Sequence, residues 1–404
     1  MNRITVFTAA LVASISAPLS ANPISVSTHN QYIIQFDDNI TEHKRSEIAK
    51  AVLSSKGKIR HNYTHAIKGM SINLPEAALK QLQERFPDIS HIEKNLPVSL
   101  VARPDKPGNG PDKEKGGHGK GGKNKDGGTT PEPEPEPTPE PEPEPTPEPE
   151  PVRDPEVVPW GVQRVGHQVV DYGTAWVIDT GIDSTHPDLN VDVSRGASFV
   201  GTNTTEDGNG HGTHVAGTIA AKLDGYDVVG VAAGATVVPI KVLSDTGSGT
   251  IEGVIAGVDH VYQHGNYGDC ANMSLGAQGF SSALDSAIKA AASKGIIFAI
   301  AAGNSADDAQ NYTPASTTHP NVYTISAFDR YNNFATFSNY GSVVEFALPG
   351  VSILSTKTGG GTTTLSGTSM AAPHFCGLAI INSYYVSGYV NNDPDGNPDP
   401  IPSL

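Results

Sequence analysis

Hydrophobic and polar positions divide this 404-residue chain into unlike stretches. Over residues 22–102, short apolar runs predict strands at 31–36, 58–63, 69–74 and 89–93, with helical spacing at 41–53 and 75–82. Met70, Ile72 and Leu74 alternate with polar or small neighbours, as a strand with one buried face requires. Thr41 is placed to cap the first helix and Pro75 to open the second. The order βαββαβ is that of a small α+β, ferredoxin-like domain. His61, His65 and His91 form no constellation there and read as surface or turn histidines.

Beyond residue 157 the pattern changes. Nearly continuous apolar runs at 174–178, 236–243, 271–275, 296–301 and 322–325 alternate with helical spacing at 251–263 and 282–293. Strands buried on both faces and separated by helices predict an α/β domain over 155–390, a mostly parallel central sheet with helices on both faces. Residues 103–154 between the two domains lack apolar periodicity. They are rich in Gly and Lys as far as Lys125, then repeat Pro-Glu from Pro131 to Pro151, broken only by Thr138 and Thr146. This composition predicts disorder followed by an extended spacer of roughly 65 Å, at ~3.1 Å per residue. Residues 391–404, rich in Pro, Asp and Asn, are expected to form a flexible tail.

The chain opens with a basic head at Arg3, an apolar run at 4–15 and small residues from Ala17 to Ala21. That pattern predicts a signal peptide over 1–21 and a secreted protein, extracellular or periplasmic. The run is too short to span a bilayer, and no other approaches the needed length, so no stable membrane insertion is expected. Net charge is −16, but eight of the negative charges are the spacer glutamates between Glu132 and Glu150. This balance argues against nucleic acid as a partner. Two cysteines, Cys270 and Cys376, define no disulfide framework; one bridge or two buried thiols both remain open.

Four segments concentrate candidate chemistry. Leu365-Ser366-Gly367-Thr368-Ser369-Met370-Ala371-Ala372-Pro373-His374 puts a serine at the start of a small-residue helix, where free N–H groups stabilise an anion. Ala175-Trp176-Val177-Ile178-Asp179-Thr180-Gly181 ends a buried strand in a carboxylate, at the sheet edge where α/β sites gather. Gly208-Asn209-Gly210-His211-Gly212-Thr213-His214 brings His211 to the mouth of a glycine-rich loop. A metal pair of His211 and His214 lacks a third ligand. Ile300-Ala301-Ala302-Gly303-Asn304 ends another strand in an amide able to donate to a developing oxyanion. Each segment alone reads as an ordinary cap or turn; together they supply a nucleophile, a base, an orienting acid and an oxyanion donor.

In these segments, and in Val158-Pro159-Trp160-Gly161 and Ser338-Asn339-Tyr340-Gly341, the chain resembles the subtilisin-like serine proteases, in particular the proteinase K type. The order Asp, His, Ser is the one that family uses. The resemblance spans about 158–377 and implies Ser369 as nucleophile, His211 as general base, Asp179 as the orienting acid and Asn304 as oxyanion donor. It further implies that Gly247, Ser248 and Gly249, with Ser274, Leu275 and Gly276, flank a cleft and pair with an extended peptide. The domain at 22–102 resembles the family's inhibitor-type propeptide, an intramolecular inhibitor whose end at Pro97 to Ala102 could lie in that cleft. Structural Ca²⁺ is a further implication, with Asp188, Asp224 and Glu156 as oxygen ligands and Glu345 in a second site beside the carbonyls of Pro320 and Val322. The expectation is a monomeric secreted serine endopeptidase, made as a zymogen, self-processed and acting on protein or peptide substrates. The unusually long spacer leaves the position of the maturation cut open.

Two other readings bear on the same residues. Asp179-Thr180-Gly181 and Asp245-Thr246-Gly247 are both D-T-G motifs, the signature of an aspartic protease dyad. That reading leaves His211, Asn304 and Ser369 without a role. A non-catalytic exported binding protein, with its N-terminal domain permanently docked, is the second.

Overall fold

The computed structural model describes residues 28–100, 102–104 and 153–404. The expected signal peptide and nearly all of the spacer lie outside the described residues. Within the N-terminal domain the strands Gln31–Phe36, Lys58–Tyr63, Gly69–Asn73 and Ile89–Lys94 and the helices Glu42–Ser54 and Glu76–Arg85 follow in the expected order. Thr41 caps the first helix, its hydroxyl accepting the Lys44 N–H at 3.2 Å. Pro75 is the residue before the second helix rather than its first turn, and that helix runs on to Arg85.

The four strands form an antiparallel sheet with Gln31–Phe36 in its interior. Alternation along this strand divides its side chains. Tyr32, Ile34 and Phe36 pack with Ile48, Val52, Met70 and Leu82 under the two helices. Ile33 points the other way and joins Tyr63 and Val98 in the core of the larger domain. A small domain thus buries both faces of its central strand, one of them only because a second domain covers it.

In the larger domain, strands 197–198, 236–241, 174–179, 270–273, 297–301, 322–328 and 346–349 lie side by side in that order, every pair parallel. Ala175 and Val177 face one hydrophobic cluster, with helices His211–Ala220 and Thr368–Ile381. Trp176 and Ile178 face the other, with helices Ile251–His264 and Ser282–Ser293. This is the expected doubly covered parallel sheet. Because both faces of each strand are covered, the strand reads as a near-continuous apolar run rather than as an alternation of apolar and polar residues.

The two cysteines form a disulfide, joining the strand Cys270–Met273 to the helix Thr368–Ile381 with a Cα–Cα distance of 5.7 Å. Beside it, Phe375 packs among the rings of Tyr323, Phe346 and Tyr384, with centroids 4.5, 5.3 and 5.6 Å away.

The expectation of a flexible tail over 391–404 is corrected. Tyr385–Tyr389 and Pro400–Ser403 form an antiparallel pair, and the Leu404 N–H donates to the Val165 carbonyl at 2.8 Å. Ile401 is fully buried against Phe328, Phe334 and Val390. Turn-forming residues dominate the composition, yet one buried isoleucine and one paired strand anchor the segment. Prolines are tolerated there because the pair has only two strands, both of them edges.

Asp399 in this segment is buried, accepts the Ser326 hydroxyl, and has its carboxyl pushed up to about 7, chiefly by desolvation, with Asp393 and Asp395 adding to it. A native pKa above the unfolded value of about 3.9 means the folded state keeps a proton that the unfolded chain has released. Stability contributed here is present below pH 4 and is lost as pH rises to about 7. Asp399→Asn is therefore expected to raise the melting temperature relative to the parent more at pH 8 than at pH 5. Thermal unfolding at the two pH values checks this; an equal difference at both would contradict it.

Candidate active site

Asp179 is the last residue of its strand and fully buried. His211 is the first residue of its helix, after Gly210 at φ +99°. His211 Nδ1 lies 2.8 Å from Asp179 Oδ1, which also accepts the Thr180 N–H at 2.7 Å. Asp207, which the sequence reading passed over, fastens this pair. Its carboxylate accepts the Thr180 hydroxyl at 2.8 Å, the Gly210 and Thr213 N–H groups at 2.8 and 2.9 Å, and the Thr213 hydroxyl at 2.7 Å. The turn after the strand and the first turn of the helix are thereby tied to one anion, placed where the helix dipole favours it. Gly212 is required by contact: a Cβ there would stand 2.0 Å from the Gly181 carbonyl oxygen. His211 Nε2 is buried and has no hydrogen-bond partner.

Ser369 is the second residue of its helix and fully buried. Its hydroxyl donates to the Ser274 carbonyl at 3.1 Å, and the Ser274 hydroxyl donates to the Ser369 carbonyl at 2.8 Å. Thr368, also unanticipated, links this helix start to Asn304. Its N–H and hydroxyl donate to Asn304 Oδ1 at 3.0 and 3.1 Å, while its hydroxyl accepts the Gly303 N–H at 3.1 Å. Asn304 Oδ1 is thus held on the residue before Ser369, which fixes the orientation of the amide.

The expected cleft residues converge on a segment of the chain itself. Pro97–Leu100 lies between Ser248–Thr250 and Leu275–Gln278, antiparallel to both. Ser99 is opposite Ser248 and Gly276, Leu100 is opposite Leu275, and the Leu100 N–H donates to the Gly247 carbonyl at 3.2 Å. Val98, opposite Gly249, is buried in the core. Farther on, Ala102–Pro104 pairs with the strand Thr362–Gly367, Ala102 opposite Gly367 at the start of the Ser369 helix. Leu100 and His211 line one pocket, together with Asn209, Lys357 and Leu365.

The N-terminal domain is held by contacts that the sequence did not reveal. Glu93 accepts the Ser282 and Ala283 N–H groups at 2.9 and 3.3 Å, capping the helix Ser282–Ser293 from another domain. Asn95 Oδ1 accepts the Glu252 N–H at 3.0 Å in the first turn of the neighbouring helix. Asp259 accepts the Thr64, His65 and Ala66 N–H groups at 3.1, 2.9 and 2.6 Å. His65 is thus at an interface, with Nδ1 3.2 Å from Asp259 Oδ2, and His91 pairs with Glu93 at 3.3 Å.

The structure does not form the aspartic dyad. Asp245 is largely exposed and paired with Lys241 at 2.7 Å, whereas Asp179 is buried beside His211. His214 is not aligned with His211 as a metal pair: its Nε2 lies 3.0 Å from the Ile353 carbonyl, and burial depresses its pKa to about 3. No group of three His, Cys, Asp or Glu side chains that could hold a metal occurs among the described residues. Asp188 and Asp224 instead face the Arg153 guanidinium at 3.3 and 3.1 Å, as does Asp227 at 3.1 Å. Glu156 accepts the Asp224 and Gly225 N–H groups at 3.0 and 2.9 Å. Glu345 accepts the Thr324 N–H at 2.6 Å, and burial pushes its carboxyl up to about 7.

With this geometry in place, the chain belongs to the subtilase family, which matches residues 176–387, and the peptidase inhibitor I9 family matches residues 31–101. Among particular relatives, it is 44% identical over 238 residues to the subtilisin-like serine protease AsES of Sarocladium strictum, covering 55% of this chain and 59% of that one. It is 43% identical over 232 residues to subtilisin Savinase of Lederbergia lenta, covering 55% and 83%. The cuticle-degrading protease of Metarhizium anisopliae matches over 380 residues at 31% identity, covering 90% of this chain and 82% of the relative. For several such relatives, the Sarocladium protein among them, the match spans 59% of their length. A solved cold-adapted subtilisin-like serine proteinase is 40% identical, with a TM-score of 0.48, covering 55% of this chain and 84% of that one.

The Glu93 cap yields a prediction. A carboxylate accepting two partly buried N–H groups contributes ~1–3 kcal/mol. Glu93→Ala is expected to accelerate hydrogen exchange at the Ser282 and Ala283 amides by roughly 5- to 150-fold at that magnitude. Unchanged protection there, read by mass spectrometry, would contradict the contact.

Proposed function

We propose that the chain is a secreted serine endopeptidase, made as a zymogen and acting on protein or peptide substrates through an acyl-enzyme. One observation supports this above the rest: residues 97–100 form the middle strand of the cleft, and the chain re-emerges at Ala102 against the start of the Ser369 helix. The chain is threaded through its own site as a substrate would be.

In this reading Ser369 leaves the Ser274 carbonyl by rotation about χ1 and gives its proton to His211 Nε2 as it attacks the scissile carbonyl carbon. Asp179 holds the other ring nitrogen and stabilises the imidazolium. The amide of Asn304 and the backbone N–H of Ser369 stabilise the oxyanion. His211 then protonates the departing amine, and water, deprotonated by the same ring, releases the acyl group. Gly247, Ser248, Gly249, Ser274, Leu275 and Gly276 recognise substrate mainly through its backbone, by adding a strand.

Self-processing falls at one of the two peptide bonds between Leu100 and Ala102. The spacer then stays on the larger domain, and residues up to the cut remain as inhibitor. The leader pattern at 1–21 supports export, and among the described residues no helix is long and apolar enough to cross a membrane.

The residues around Asp188 do not fit structural Ca²⁺: Asp188, Asp224 and Asp227 already have the Arg153 guanidinium as their counter-charge at 3.3, 3.1 and 3.1 Å, and Glu156 is engaged by the Asp224 and Gly225 N–H groups. Glu345, one oxygen of which is engaged by Thr324, is the remaining candidate for an oxygen-ligated cation.

Asn304→Ala is expected to lower kcat ~100- to 1000-fold with little change in KM, a size borrowed from a subtilisin oxyanion donor. Ser369→Ala should remain a single chain after export, whereas the parent should give a new N-terminus at residue 101 or 102. N-terminal sequencing decides it: a first residue near 155 would place the cut after the spacer. Absence of Ser369 labelling by a fluorophosphonate would instead favour a non-catalytic binding protein.

A further inference from the structure

Lys241 is a buried cation that the proposed chemistry does not use. It ends the strand Thr236–Lys241 opposite Asp179 and is 1% exposed. Its ammonium donates to the Thr180 carbonyl and, at 2.7 Å, to Oδ1 of Asp245, from the second D-T-G motif. Thr180 follows Asp179, and its hydroxyl is the one that Asp207 accepts. The two residues after Lys241 hold the same point, since the Val242 and Leu243 N–H groups donate to the Asp179 carbonyl at 2.9 and 3.0 Å.

Asp245 meets this ammonium from a turn at the edge of the cleft. The Gly247 N–H donates to the Ser244 carbonyl at 2.8 Å and the Ser244 N–H to the Ser248 carbonyl at 2.9 Å, so Asp245 and Thr246 form a tip ahead of the substrate-pairing residues. On its other side Asp245 touches the loop that leads to His211. Its carbonyl accepts the Asn209 amide at 3.0 Å, and a Cβ on Gly208 would stand 2.4 Å from its Cγ. The Lys241 ammonium holds the Asp245 carboxyl below the usual carboxylate range, with the Gly208 N–H adding to it, so the carboxylate stays ionised at neutral pH. Without Asp245 the buried ammonium would lose the anion that balances it.

We propose that Lys241 and Asp245 are a positioning pair for the reaction, a latch that links the seat of an extended substrate at 247–249 to the turn carrying Asp179 and the loop carrying His211. The strand that fills the cleft presses on that turn directly. The Leu100 N–H donates to the Gly247 carbonyl at 3.2 Å, and a Cβ on Gly247 would lie 2.7 Å from Leu100 Cδ1. A bound strand thus orders the turn from one side, and the turn holds Lys241 from the other. A substrate too short to reach 247–249 cannot order the turn and gains nothing from the pair. This role rests on the serine-endopeptidase reading, while the latch itself is measurable without turnover.

The test compares the processed parent with Asp245→Ala and Asp245→Asn on a tetrapeptide p-nitroanilide and on p-nitrophenyl acetate, which has no residues to pair with 247–249. Asp245→Ala is expected to lower kcat on the tetrapeptide about tenfold, with KM within about twofold, short of the ~100-fold that a displacement of ~1 Å can cost. The acetate should be hydrolysed at the parental rate. Asp245→Asn keeps Oδ1 as an acceptor and should recover part of the loss. In the full chain carrying Ser369→Ala, where no turnover intervenes, Asp245→Ala should accelerate hydrogen exchange at residues 208–212. Parental kcat in both variants would overturn the proposal, and so would an equal loss on both substrates, which marks a merely structural pair. Unchanged exchange would overturn the latch whatever the kinetics. A parent with neither turnover nor fluorophosphonate labelling of Ser369 would instead overturn the endopeptidase reading, and the role in the reaction with it.

Discussion

The contact between Asp179 and His211 is the constraint on which the architecture turns. A carboxylate at the end of a buried parallel strand must meet an imidazole at the start of a helix packed over that strand, at 2.8 Å. Sheet geometry brings the strand end to the edge, but it does not set the last ångström. Asp207 does so, by accepting from both the strand's turn and the helix's first turn, and Gly212 does so by omitting the Cβ that would strike Gly181. The same division recurs at the serine. The helix start presents Ser369, and Thr368 locks it to Asn304 across the gap between two further strand ends.

The N-terminal domain is attached by the same physics. Helix N-termini leave N–H groups unsatisfied and bear partial positive charge. Two such ends, at Ile251–His264 and Ser282–Ser293, point at the smaller domain, and Asn95 and Glu93 satisfy them. Asp259 returns the arrangement in the opposite direction, accepting three consecutive backbone N–H groups from the smaller domain. The threaded strand at 97–100 adds a ladder between two others. The domain is therefore positioned by directional polar contacts around an apolar patch, which fix the path of its C-terminal end through the cleft.

Much of this was legible in the chain because burial on both faces leaves an unmistakable apolar run. The strands ending at Asp179 and Ala301 and the helix Ser282–Ser293 read almost to the residue, and so did the βαββαβ order. What was hidden depends on contacts between residues distant in sequence. Asp207, Thr368, Glu93 and Asp259 all act by accepting or donating to backbone far along the chain, and their types alone suggest ordinary turns and surfaces. Ile401 was missed because a single buried side chain cannot outweigh a proline- and aspartate-rich neighbourhood. Phe375 and Cys376, on the helix that carries Ser369, are placed by an aromatic cluster and a disulfide.

The double burial of Gln31–Phe36 gives departure of the smaller domain a direction in time. Ile33, Tyr63 and Val98 lie in a core that is not their own, so separation would wet an apolar face and strip the two helix ends of their caps. On the proposed function, an inhibitor freed in that condition would open locally and expose its backbone. Its departure would then be easier than its return, like the tooth of a ratchet.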